Sequence, residues 1–380
     1  NLVKTKVYKY IYYLMLDKNK VMVGMSGGVD SSVAALLMKQ KGFEVIGLTI
    51  TSIKQEDDCK ADSKESGCCG YSAVIDAGDI CEYLNIAYKL MDLSEIFKDK
   101  IINNFIKEYL DGRTPNPCTL CNPIIKWGEV LKKADSLNCY YYSTGHYANV
   151  LFSEETGRYY ISKGKDTFKD QSYFLWGLSQ EQLSRTIFPL GNLTKPEVRK
   201  IAAEFGLKVH NKIESQEICF VTNNDYKDFL KKSVPEIETK FDNGDIVFDG
   251  MVVGKHKGYP FYTIGQRKGL GISYHKPLFV KKIIPELNLI EVAVEEDISA
   301  NGLIAEQVNL MKYLEIDPNK IFNIKIRYRD KGSDGRCRVD ENGKLIINFI
   351  TPKKSITPGQ SVVVYEGNDL VAGGVIESSF

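Results

Sequence analysis

Gly24-Met25-Ser26-Gly27-Gly28-Val29-Asp30-Ser31 places two adjacent glycines, two hydroxyls and one carboxylate between a short apolar run and a helix-spaced segment. Glycines let backbone N–H groups come close to an anion. A helix start adds partial positive charge, and Ser26, Ser31 and Ser32 add hydroxyls. The chemistry that suits such a turn is phosphate binding. No lysine follows the glycines, so it is not the mononucleotide loop, and the Gly-x-Gly-x-x-Gly spacing of dinucleotide sites is absent. Asp30 would repel a bare phosphate and is expected to face magnesium or to cap the helix.

A second group is sulfur. Cys118 and Cys121 form a Cys-x-x-Cys inside a loop stiffened by Gly112, Pro115 and Pro117, ahead of a helical run from Ile124 to Lys133. A cysteine near a helix N-terminus is biased towards thiolate, and Lys126 adds positive charge. Cys219 lies in the polar stretch Glu214-Ser-Gln-Glu-Ile-Cys-Phe220. Nine cysteines is an odd number, and no secretory signal is evident. Reactive, metal-binding or buried thiols are therefore expected rather than a disulfide framework. Cys59, Cys68 and Cys69 suit zinc poorly because adjacent cysteines miss the usual spacing, and no metal ligand set is assigned to them. Cys81 falls on a helical face and reads as core.

Basic and aromatic residues make a third group. Fifty basic residues face forty-nine acidic ones, so a nucleic acid would have to be held by a local patch. Met251 to Lys282 supplies one: Lys255, Lys257, Arg267, Lys268, Lys276, Lys281 and Lys282 occur without an acid, with Tyr259, Phe261, Tyr262 and Tyr274 interleaved. Arg327-Tyr328 is a second candidate.

The elements that must position these groups follow from periodicity. Apolar runs at 21–25, 44–50, 87–91 and 140–145 read as strands, and 32–41, 72–84, 94–110, 123–136 and 194–205 as helices. Their alternation predicts an α/β domain with a doubly wound parallel sheet, whose ligands sit beyond the strand ends, where Gly145 and His146 fall. Beyond Ile237 short runs split by glycine and proline predict β structure. The expected organisation is an extension at 1–20, an α/β domain at 21–214, a small mixed module at 215–286 and a β-barrel domain at 287–380. No apolar run reaches the roughly 18–20 residues that span a bilayer, so no membrane partner is expected.

Ser26-Gly-Gly-Val-Asp-Ser31 resembles the loop of the ATP pyrophosphatases, which cleave ATP between the α and β phosphates. With Thr114-Pro-Asn-Pro, Cys121-Asn122, Ile125-Lys-Trp127, Ser143-Thr-Gly-His-Tyr147, Lys169-Asp-Gln-Ser-Tyr-Phe174, Ser215-Gln-Glu-Ile-Cys-Phe220, Tyr262-Thr-Ile-Gly-Gln-Arg-Lys-Gly-Leu270 and Thr357-Pro-Gly-Gln360, the chain from residue 21 resembles the tRNA-specific 2-thiouridylases. The resemblance implies ATP with magnesium on Gly24, Met25, Ser26, Gly27, Gly28, Val29, Asp30 and Ser31, with Ile50 and Gly145 beside the nucleotide. It implies the target base at Asn116, Pro117 and Cys118. It implies other tRNA contacts at His146, Lys169, Asp170, Gln171, Arg327, Tyr328 and Gln360.

It also implies Cys121 as nucleophile and Cys219 as persulfide carrier. The wobble uridine of tRNAs for Lys, Glu and Gln is the implied substrate. A cysteine desulfurase or sulfur relay protein is the implied donor, for a cytoplasmic monomer. Position 118 is commonly aspartate in that family, so a second reading is an iron–sulfur cluster on Cys118, Cys121 and Cys219. An amidating ligase using the same loop, and an RNA-binding protein without activity, are the readings from other classes.

Overall fold

A computed structural model describes residues 13, 15–52, 71–212 and 218–380. Cys59, Cys68, Cys69 and the run Glu214 to Glu217 lie outside the described residues. The chain divides into two compact units, Asn1–Lys98 with Cys121–Phe220, and Asp99–Leu120 with Val221–Phe380.

The first unit is built on β1 (Asp17–Gly24), α1 (Val29–Gln40), β2 (Glu44–Thr51), α2 (Tyr71–Tyr83) and β3 (Ala87–Asp92). After an excursion into the second unit it continues with β4 (Cys139–Ser143), the hairpin β5 (Ala148–Ser153) and β6 (Arg158–Lys163), β7 (Thr186–Ile187) and a helix at Lys195–Glu204. The main sheet has the order β3-β2-β1-β4-β7, and every pairing in it is parallel. Strand order reverses between β1 and β4, so the loops after these two strands flank the crevice where ligands of open α/β sheets bind. The core beneath is Val21, Val23, Val33, Ala34, Met38, Ala77 and Cys81. Cys81 is core as its helical spacing indicates, and burial pushes its thiol up to about 12. The first strand reaches back to Asp17, so four residues assigned to the extension belong to the sheet.

The predicted helix at 94–110 is broken into Ser94–Phe97, a wide turn at Lys98–Ile102, and Asn103–Leu110. Phe105 and Tyr109 of the last piece pack on Phe229 and on Tyr226, whose ring stacks at 4.7 Å. These aromatics draw the segment into the second unit.

The rest of the second unit holds two sheets. The strands Phe279–Ile284, Leu289–Ala293, Asp242–Phe248 and Met251–Lys257 lie side by side in that order, with one parallel pairing at the centre. From Ser299 onward six antiparallel strands close into a barrel, Ser299–Leu310 pairing with both Leu345–Lys354 and Asp369–Ser379. Closure removes the exposed strand edges. Leu345, Ile347 and Phe349 alternate inward to a core that includes Ile324, Val362, Val364 and Ile376. The α/β class, the mixed central module and the C-terminal barrel agree with the sequence reading. Among the described residues no helix is long and apolar enough to cross a membrane.

Candidate active site

The turn after β1 is set by its glycines. Gly27 has a φ of +65°, and a Cβ there would lie 2.5 Å from the Ala73 carbonyl oxygen. Gly28 has ordinary backbone angles at the helix start. A Cβ on it would meet only Ser26 Oγ, at 3.5 Å. The space before Gly28 is therefore open, as a cradle for phosphate requires. The Ser31 hydroxyl accepts from the Ser26 N–H at 3.1 Å and donates to the Gly28 carbonyl at 3.1 Å. Met25 and Val29 are buried, and Met25 ties the loop to β2: its N–H donates to the Leu48 carbonyl at 2.8 Å and its carbonyl accepts from Thr49 Oγ1 at 2.9 Å. Lys212 donates to the Gly27 carbonyl and pairs with Asp76.

Asp30 neither caps the helix nor presents an open carboxylate. Lys195 Nζ donates to both its oxygens, at 2.7 and 2.8 Å, and Tyr147 Oη donates to one of them at 2.7 Å. The helix start has no side-chain cap. A magnesium ion here would therefore be carried mainly by ATP phosphates and water, since Asp30 is already satisfied. In sequence Lys195 is only a residue of the predicted helix 194–205, and nothing local points to Asp30; the structure adds a capping box between Thr194 and Glu197 at this helix start.

The segment after β4 completes the crevice. A Cβ on Gly145 would lie 2.7 Å from the Asp30 backbone, so only glycine lets this turn close on the phosphate loop. His146 accepts or donates at Nδ1 with Thr144 Oγ1 at 2.7 Å, and its ring packs between Trp127 and Phe188. Desolvation first, and then the Lys126 charge, lower its pKa to about 3. His146 is thus a neutral hydrogen-bonding group at physiological pH, not a cation for a phosphate. At the carboxyl edge of the sheet, the buried hydroxyls of Ser52 and Ser143 have no hydrogen-bond partner among the described residues. Unsatisfied buried hydroxyls beside a crevice suit the polar atoms of a ligand. Ile50, two residues before Ser52, is half-buried at the end of β2.

Cys118 and Cys121 are not in a loop. A helix starts at Pro117, whose missing N–H and fixed φ suit a first turn, and covers Pro117–Cys121. Pro123 follows inside the helix and cannot supply an N–H. The next stretch, Asn122–Glu129, widens into a π-helix. Cys118, Cys121 and Cys219 are each half-buried. Phe220, beside Cys219, is buried with its ring edge on Phe97 at 5.8 Å. Among the described residues no three His, Cys, Asp or Glu side chains gather in a metal-holding arrangement.

Asp170 and Gln171 hold the protein itself. Asp170, buried, accepts from the Gly164 N–H and from both the N–H and hydroxyl of Ser172. Gln171 Oε1 accepts from the Tyr147 N–H. Lys169, just before them in the same loop, is half-buried.

In the second unit, Gln360 Nε2 donates to the carbonyls of Thr114 and Pro115. Arg113 pairs with Glu108 and Glu306. These contacts hold the segment leading to Asn116, Pro117 and Cys118. Arg327 is exposed and Tyr328 half-buried, in a turn just past the strand Phe322–Lys325. The basic–aromatic stretch is only partly what its composition suggests. Tyr259, Phe261 and Tyr262 are buried, because the 3₁₀ turn at 259–261 faces the core, and Tyr259 Oη donates to the Leu110 carbonyl. Of these four aromatics only Tyr274 is exposed, at 40%, and its ring packs on His275 and Phe248 at 4.3 and 5.1 Å. Lys255 and Lys281 are paired with Asp245 and Glu291.

Family models match in order: a tRNA methyl transferase HUP domain over residues 19–223, a tRNA methyl transferase PRC-barrel domain over 227–294, and an aminomethyltransferase beta-barrel domain over 300–376. The tRNA-specific 2-thiouridylase MnmA of Salinibacter ruber is 47% identical over 95% of both chains. That of Cytophaga hutchinsonii is 47% identical over 96% of this chain and 99% of its own. That of Amoebophilus asiaticus is 44% identical over 96% and 97%. On full-length identity of this degree, and with the HUP-domain model matching more than half of it, the chain belongs to the tRNA-specific 2-thiouridylase family.

Proposed function

We propose that this protein uses ATP to convert the wobble uridine of tRNA, position 34, to 2-thiouridine. One observation carries the reading: the open Gly28 cradle and the Gly145 turn meet at the β1/β4 crevice, in the unit that also holds Cys121 and Cys219. The C2 oxygen of uridine is a poor leaving group. Transfer of AMP from ATP to that oxygen releases pyrophosphate and makes AMP the leaving group.

Gly24 to Ser31, with Ile50 and Gly145, would bind ATP and its magnesium. Asn116, Pro117 and Cys118 would hold the base. His146, Lys169, Arg327 and Tyr328 would contact the tRNA, whereas Asp170, Gln171 and Gln360 would act by shaping the contacting segments. The terminal sulfur of a Cys219 persulfide attacks C2, and AMP departs. The Cys121 thiolate then attacks Cys219 Sγ, which leaves the terminal sulfur on C2 as the thiocarbonyl. A Cys121–Cys219 disulfide is formed, and an external thiol must reduce it. The sulfane sulfur is reduced by two electrons and the two thiols are oxidised by two. A desulfurase or relay protein would load Cys219, and tRNAs for Lys, Glu and Gln are the substrates this reading selects. A cytoplasmic monomer suits thiols that must cycle through reduction.

The test is pyrophosphate release from ATP with and without tRNA, followed by nucleoside mass analysis. Release that needs tRNA, and 2-thiouridine when a persulfide donor is supplied, are expected. Pyrophosphate release that needs ammonia and not tRNA would turn the reading towards an amidating ligase.

A further inference from the structure

Lys195 is the first residue of its helix, yet its side chain is only 8% exposed. A buried ammonium is costly unless paired and hydrogen-bonded. Lys195 is bound to both oxygens of Asp30, 165 positions away. Asp30 sits in the first turn of α1, one residue past Val29 and two past the Gly28 cradle. Tyr147 Oη holds the same carboxylate.

From this pair two routes lead to one segment. The Lys195 backbone N–H donates to Asp166 Oδ2 at 2.9 Å, and Asp166 Oδ1 accepts from the N–H groups of Phe168 and Lys169. The Tyr147 N–H donates to Gln171 Oε1, and the Gln171 N–H donates back to the Tyr147 carbonyl. Asp170 braces the turn from within through Gly164 and Ser172. Residues 164–172 are therefore joined to the phosphate loop at both ends, through Lys195 on one side and Tyr147 on the other.

We propose that Lys195 and Tyr147 are positioning residues that join the ATP loop to segment 164–172, so that each of the two ligands, ATP and tRNA, favours the geometry the other needs. The proposal rests on the functional reading above. Neither side chain is assigned a contact with a reacting atom. Anchoring Asp30 fixes the start of α1, whose N–H groups would face the phosphates. Anchoring Asp166 and Gln171 fixes the backbone of Lys169. Order imposed on one end is order the other ligand need not supply, which is positive coupling.

The experiment measures tRNA binding to the whole protein with and without a non-hydrolysable ATP analogue. The wild type should bind tRNA at least about fivefold more tightly with the analogue, the lower range of ordinary coupling. Tyr147→Phe removes one hydroxyl and should bring that factor close to one, with tRNA affinity in the absence of nucleotide unchanged. Lys195→Met should do the same, and Lys195→Arg should restore most of it. Should Lys195→Met fail to fold because Asp30 is left without its cation, Asp30→Asn with Lys195→Met removes both charges, and Tyr147→Phe still decides the matter. Coupling kept in Tyr147→Phe and Lys195→Met, or no coupling in a wild type that binds both ligands, overturns the proposal. A wild type that binds neither ATP nor tRNA overturns the functional reading instead.

Discussion

Gln360 and Thr114 are 246 positions apart, and the Gln360 side-chain amide donates to the Thr114 carbonyl at 2.8 Å. The same nitrogen reaches Pro115 at 3.3 Å, and the Thr114 N–H returns a bond to the Pro358 carbonyl. A residue of the barrel therefore shapes the backbone that leads into Asn116, Pro117 and Cys118. Removing its amide by Gln360→Ala should lower stability by roughly 1 kcal/mol. Looser positioning of the base segment should lower kcat/KM for tRNA by about 5- to 30-fold, the equivalent of about 1–2 kcal/mol. ATP affinity should not change. Steady-state kinetics with tRNA varied, beside ATP titration, checks this, and equal losses for both ligands would count against it.

Gly28→Val tests the cradle with little risk to the fold, because Gly28 has ordinary backbone angles and an open Cβ position. The valine would stand where phosphate should lie. ATP binding should fall by at least about 100-fold, or about 3 kcal/mol, with the melting temperature nearly unchanged. Isothermal titration beside thermal unfolding separates the two effects. Gly27→Val is the contrasting variant, since its φ of +65° and the Ala73 carbonyl oppose any side chain. It should lose stability as well as binding.

Cys121→Ser and Cys219→Ser keep size but remove the soft nucleophile. Both variants should bind ATP and tRNA and release pyrophosphate, yet form no 2-thiouridine. Cys118→Ser should retain substantial thiolation, because the proposed function asks that position only to contact the base. Loss of activity together with loss of iron from anaerobically purified Cys118→Ser protein would revive the cluster reading. Normal thiolation by Cys219→Ser would move the sulfur carrier elsewhere in the chain.

Charge reversal at Lys257, Lys268 and Lys282 should weaken tRNA binding. Every lysine that neutralises a phosphate should, when reversed, reduce the salt slope by about 0.7 to 0.9. Lys255 and Lys281 already meet Asp245 and Glu291, so reversing those two should change the salt slope less. Filter binding across a salt series gives both numbers. A slope that does not move would shift the RNA surface away from this module.

His146 should make the first unit acid-sensitive. Its pKa is lowered to about 3, chiefly by desolvation. The unfolded chain therefore takes up a proton on this ring below about pH 6.5, where the folded chain does not. The stability it preserves is complete above about pH 6.5 and declines progressively as pH falls towards about 3. At about pH 5 the decline is about 2 kcal/mol. His146→Gln should flatten that part of the stability curve, measured by urea unfolding from about pH 7 to about pH 5. His256, in the second unit, is also shifted down by burial. Its ring nitrogens meet the Asn288 carbonyl and the Gly258 N–H, so the variant should leave some acid sensitivity behind.

What the sequence determined by itself is what depends on near neighbours. The glycine turn, the strand–helix alternation of 21–145, the core position of Cys81 and the change to β structure past Ile237 all follow from local backbone sterics and from the period of apolar residues. The full set of motifs also marked the family. Tertiary structure alone decided which charged group meets which. Nothing near Lys195 in sequence points to Asp30, and nothing near Gln360 points to Thr114, because ion pairs and side-chain-to-backbone bonds are chosen by the packing of distant segments. The same holds for burial. Tyr259, Phe261 and Tyr262 look like a stacking surface beside so many lysines, yet the turn that carries them points inward. The segment 99–120 reads as a continuation of the α/β domain, but its aromatic face is buried against Tyr226 and Phe229. Burying that face removes apolar surface from water, and only the folded chain shows which partner does it.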